Sequence, residues 1–86
     1  MKSAYELAME KLGGVKQISK QQKQKLAEID SLYDSRKAEA QLRAQTAIEE
    51  AAGDSEKAAQ IRDDLARELR KLDERREAKK DKVRDG

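Results

Sequence analysis

Residues 48–61 read Ile48-Glu49-Glu50-Ala51-Ala52-Gly53-Asp54-Ser55-Glu56-Lys57-Ala58-Ala59-Gln60-Ile61, and this stretch decides the fold. Gly53 supplies the left-handed residue that commonly ends a helix, and Asp54 or Ser55 can cap the helix that follows. Before the break runs a stripe of Leu26, Ile29, Tyr33, Lys37, Ala40, Ala44, Ile48 and Ala51. After it runs a second stripe of Ala58, Ile61, Leu65, Leu69, Leu72, Arg76, Lys80 and Val83. The two are mirror images about the midpoint between Asp54 and Ser55, so two helices of equal reach folded back there bring matched positions level. Both stripes repeat a three-four-four spacing, an 11-residue period close to three full helical turns. The expected fold is all-α: a long antiparallel two-helix hairpin, coiled-coil-like in its periodicity, preceded by a short N-terminal helix.

Working outward, the first long helix is expected over 19–52, with Ser19 as N-cap and Gln22 three residues on, the turn over 53–55 and the second helix over 55–84. Residues 3–12 carry Ser3 and Glu6 at capping-box spacing and stop at Gly13-Gly14, which predicts a short amphipathic helix; 13–18 is a connector. Together these make one domain of 86 residues.

The composition matches long helices. Charged residues are 44% of the chain and the hydrophobic set 36%, with no Pro, Phe or Trp. The charges are mixed in sign and the apolar positions periodic, unlike a disordered chain. The chain has neither Cys nor His, so disulfides, the usual zinc ligands and Cys/His or Ser/His catalysis fall away. No apolar run approaches a membrane span or a signal peptide, and a cytoplasmic protein without metal, cofactor or membrane is expected.

The expected seam consists of Leu26, Ile29, Tyr33, Ala40, Ala44, Ile48, Ile61, Leu65, Leu69, Leu72 and Val83, with small pairs such as Ala51 and Ala58 near the turn. Toward the open end the pairs turn polar: Tyr33 faces Arg76, which predicts a cation–π contact, and Ile29 faces Lys80. Lys37 interrupts the apolar stripe, either as a snorkelling side chain or as a polar residue that specifies register. The carboxylates Asp30 and Asp34, Glu49 and Glu50, and Asp63 and Asp64 read as solvated helix faces with ion pairs such as Asp63 to Arg67. They carry no catalytic or metal role, because a two-helix rod offers no cleft.

Residues 51–65 hold Ala51, Ala52, Glu56, Ala58, Ala59, Ile61, Arg62, Asp63 and Leu65, and in these positions the stretch resembles the UVR motif. That motif is a helical hairpin of excision-repair subunits and Clp-protease regulators, and the resemblance implies a docking module. Ser55 stands where the motif has an aromatic, and the turn here is about two residues shorter.

Surface features suggest two partner surfaces. Leu42 lies almost opposite the seam, and Tyr5, Met9 and Leu12 make an apolar face on the short helix; both are candidate protein or dimer contacts. Charge is uneven along the rod. Residues 13–28 with 75–86 carry ten basic and four acidic side chains, whereas 29–74 carry eight and twelve. Lys20, Lys23, Lys25, Arg76, Lys79 and Lys80 therefore form a candidate phosphate-binding tip, the rival reading being a gradient that only aids solubility. The function expected is a non-enzymatic protein–protein interaction or structural module, self-associating as a homodimer or docked on a protein partner. The alternative is an RNA- or ribosome-associated protein that uses the basic end.

Overall fold

A computed structural model describes Ala4 and residues 18–86. The chain forms an antiparallel hairpin of two α-helices, α1 over Lys20–Glu50 and α2 over Ser55–Asp85, each of 31 residues. At ~1.5 Å per residue each helix is ~46 Å long. The short helix expected over 3–12 apart from Ala4, the connector expected over 13–18 apart from Ile18, and the face of Tyr5, Met9 and Leu12 lie outside the described residues.

The ends of the helices follow from their caps. The Ser19 hydroxyl accepts from the Gln22 amide at 3.1 Å, and the Gln22 side chain accepts from the Ser19 amide at 2.9 Å, completing a capping box. Asp54 is the N-cap of α2, its carboxylate accepting from the Lys57 amide at 3.1 Å. The turn begins earlier than expected. Helix α1 ends at Glu50, not at 52, because Ala52 already turns left-handed with φ 48° and Gly53 follows at φ 88°. A Cβ added to Gly53 would meet nothing within 4 Å, so glycine serves this turn by its backbone freedom and not by its size. Helix α2 runs one residue beyond the expected 84.

The seam forms at the positions where the mirror symmetry predicts it. All sixteen stripe residues are buried or half-buried, and Tyr33, Ala40, Ala44 and Leu72 are the most sheltered at 1%, 2%, 8% and 8% exposure. In the turn half Ala44 and Ala40 of α1 fall level with Leu65 and Leu69 of α2, and Ala51 with Ala58, small partners that let the backbones approach closely. The open end is latched by the Gln22 side-chain amide, which donates to the Val83 carbonyl at 2.9 Å.

Two expected contacts are replaced by others. Arg76 does not stack on Tyr33; the ring is instead approached by Arg36 at 5.1 Å and Lys79 at 5.5 Å. Arg76 lies within 4 Å of Asp30, Asp34, Asp73 and Glu77, and four carboxylates outcompete a cation–π contact of about 0.5–1 kcal/mol. Arg67 pairs with Asp64 at 2.8 Å and not with Asp63. Both acids are within helical reach of it, and Asp64 also accepts from Gln60 at 3.1 Å. Lys37, the break in the stripe, reaches Asp73 across the seam at 3.0 Å.

Candidate interaction surface

With the seam closed, the outer surface of the hairpin divides into distinct strips, and helical geometry fixes which residues share each one. Residues eleven apart point in nearly the same direction, and the cross-helix contacts show which flank of α1 adjoins which flank of α2.

One side of the open half is neutralised within the molecule. Lys80 meets Asp30 at 3.1 Å, Lys37 meets Asp73 at 3.0 Å, and Arg76 sits among its four carboxylates. Arg84 reaches Asp81 at 3.0 Å and Glu77 at 3.7 Å. Five acids therefore confront four cations here, and the seam's polar residues belong to this network. The Arg76 Nε is buried without a hydrogen bond, its nearest carboxylates lying 3.9 Å away.

The other side is built differently. Lys25 and Arg36 on α1 share a heading, as do Lys71 and Lys82 on α2, with Arg75 and Lys79 completing the row on α2. Arg36 and Lys79 converge on the same Tyr33 ring, which places both rows on one side of the hairpin. Lys25 and Lys82 jointly line an open depression of about 530 Å³ at the open end. All six side chains are exposed, and no ion pair involves any of them among the described residues.

The backs of the two helices also differ. On α2, the residues opposite the seam include Glu56, Asp63, Arg67, Arg70 and Glu74, all exposed and charged. On α1, the corresponding strip is Gln24, Ala27, Ser31, Ser35, Ala38, Leu42 and Thr46, uncharged and exposed throughout. It repeats the seam's three-four-four spacing. Leu42 is its largest apolar member, at 64% exposure; Leu32 at 44% and Ile18 at 40% are the other large exposed hydrophobics among the described residues.

The residues expected at the basic tip are thus dispersed. Lys20, Lys23 and Lys25 are exposed near the start of α1. Lys79 rests over Tyr33, while Arg76 and Lys80 are drawn into ion pairs with side-chain exposures of 25% and 16%. Counting charge along the chain took in Arg75 and Lys82 at the basic end without singling them out, and left out Arg36 and Lys71; the eleven-residue spacing of Lys25 with Arg36 and of Lys71 with Lys82 was the signal for one shared side. Among the described residues no group of three or more His, Cys, Asp or Glu is arranged to hold a metal ion, and no helix is long and apolar enough to cross a membrane.

No family model matches the chain, and neither a curated protein nor a solved structure matches it at a significant level. Within the UVR-like stretch, Ala51, Ala58, Ile61 and Leu65 are half-buried seam residues, so hairpin packing by itself accounts for their types.

Proposed function

We propose that the chain is a non-enzymatic cytoplasmic interaction module that pairs with a second copy of itself through the back of α1. The observation that carries this reading is the uncharged strip from Gln24 to Thr46, with Leu42 at 64% exposure near its end, on a surface otherwise dense in charge. Charge density elsewhere keeps helices solvated; its absence along seven periodic positions leaves a face that a partner helix can approach closely.

From Ala27 to Thr46 the strip is mirror-symmetric about the midpoint between Arg36 and Lys37, as a twofold contact requires, while Gln24 has Glu49 as its mirror position. In an antiparallel pair of copies, Ser35 meets Ala38, Ser31 meets Leu42 and Ala27 meets Thr46. The same arrangement lays Lys23 of one copy level with Glu50 of the other, so the basic start of each α1 runs beside the acidic end of its partner. The product is a four-helix assembly. Its thin hairpins gain a second layer of packing, which small unstapled folds generally need.

Light scattering tests the reading. A mass near twice 9.7 kDa is expected at ~10 μM protein, falling toward the single-chain mass on dilution. Replacing Leu42 with Lys should shift the protein to single chains while leaving its helical circular dichroism signal in place. A wild-type protein that stays a single chain at ~100 μM, where even weak specific pairing would register, overturns the proposal.

A further inference from the structure

The two sides of the open half hold opposite electrostatic states, and the difference points to a second partner. On one side every acid faces a cation, so little charge is left for anything else. On the other, six exposed cations have no ion-pair partner among the described residues, with Glu28, Glu39, Glu68 and Asp85 at the edges of the patch. From Lys71 to Lys82 the row on α2 spans ~16 Å, about one cation per helical turn. The α1 row runs alongside at the usual helix separation of ~8–10 Å.

This side is also partly pre-ordered. Arg36 comes from α1 and Lys79 from α2, and both are steadied over one ring, at 5.1 and 5.5 Å. The ring belongs to Tyr33, which is 1% exposed and so a fixed base beneath the middle of the patch. Side chains already held in place lose less freedom on binding.

We infer that this side grips the phosphate backbone of a double-helical nucleic acid without reading its sequence. A regular row of four unpaired cations on α2, flanked by Lys25 and Arg36 on α1, is matched by a partner whose negative charge is equally regular, and each strand of a duplex carries one charge per ~3.4 Å of axis. Lysine outnumbers arginine four to two here, which suits point-charge contact with phosphates better than bidentate contact with guanine edges. Two helices side by side are wider than the ~12 Å major groove, so the hairpin lies against the backbone and enters no groove. The Tyr33 ring is buried under the patch and offers no platform for unpaired bases, which sets a duplex above a single strand. A membrane-surface helix needs a continuous apolar face, and among the described residues of the two helices Leu32 is the one large apolar side chain this side exposes. The inference stands apart from self-association, because the six cations lie off the uncharged back of α1.

Fluorescence anisotropy with the full chain and a labelled mixed-sequence DNA duplex of ~20 base pairs at ~50 mM salt provides the test. Binding is expected to be sequence-tolerant, and log affinity should fall against log salt with a slope near −0.9 per phosphate contacted, about −3 to −4 for four contacts. The double variant Arg75→Glu, Lys82→Glu removes two contacts and adds repulsion, and should weaken binding by more than ~30-fold with circular dichroism unchanged. The control Lys20→Glu, Lys23→Glu alters the tip and not the side, and should change affinity less than ~3-fold. Absence of binding at ~100 μM protein overturns the inference, as does a tip variant that weakens binding as much as the side variant. Equal or tighter binding of polyglutamate, or of vesicles with about a third anionic lipid, at the same salt would also overturn it, giving the side to an acidic protein or a lipid surface.

Discussion

The turn half and the open half of the hairpin share one periodicity and one register yet hold together by different physics. From Ala40 to Leu69 the seam is hydrocarbon, with alanines of α1 set against larger side chains of α2. Outward of these, the buried Tyr33 ring, Leu26, Ile29, Leu72 and Val83 share the seam with Lys37, Arg76 and Lys80, whose charged ends meet carboxylates. The first kind of contact depends on close approach and barely responds to salt. The second uses long side chains whose apolar stems cover the seam while their charged ends meet acids at the edge. A single helical period therefore tolerates two chemistries, provided each keeps its own spacing between the helices.

The largest effect should come from removing the ring that anchors the open half. Tyr33→Ala deletes the most deeply buried large side chain, and truncations of this kind cost about 3–5 kcal/mol. Amide hydrogen exchange should show the loss concentrated beyond residue 33 of α1 toward Lys20 and beyond Arg76 of α2, with the turn half better protected. Uniform loss of protection along both helices would show that the halves are one cooperative unit.

The turn half should fail by the opposite route, through excess volume. Ala44 is 8% exposed and faces Leu65, so Ala44→Leu forces the helices apart at a cost of about 1–3 kcal/mol, readable from a denaturation midpoint. A neutral outcome would mean that the backbones are not in close approach there.

The smallest effect belongs to the ion network. Arg76 is 25% exposed, and Arg76→Met keeps the apolar stem while removing the charge; surface-type pairs of this exposure are worth about 1 kcal/mol or less. Added salt should narrow the gap between Arg76→Met and the wild type, because screening weakens what the substitution removes. Ala44→Leu should show the same deficit at low and high salt, which separates the two halves by their ionic response.

The periodic part of the design was legible in the sequence, and its side-chain choices were not. Every stripe position from Leu26 to Val83 is sheltered, because helical spacing and a fixed turn leave few registers open to the backbone. The exposure of Leu42 followed from the same geometry. The destination of Arg76 did not, since a long flexible side chain chooses among several neighbours by small energy differences. The basic side was missed for a different reason. Charge counted along a chain describes ends, whereas two helices also have sides, and only heading around each axis separates Lys82 from its neighbour Asp81.

The left-handed pair Ala52 and Gly53 has a consequence for time as well as shape. A turn this short brings Ala51 and Ala58 together at little entropic cost, whereas Gln22 and Val83 are 61 residues apart. Once the first pair meets, each further pair closes only a slightly larger loop, so assembly is expected to run like a zipper from the turn to the latch. Low sequence separation at the start favours a fast folder. Disturbing the turn should slow folding, and cutting the latch should chiefly hasten unfolding.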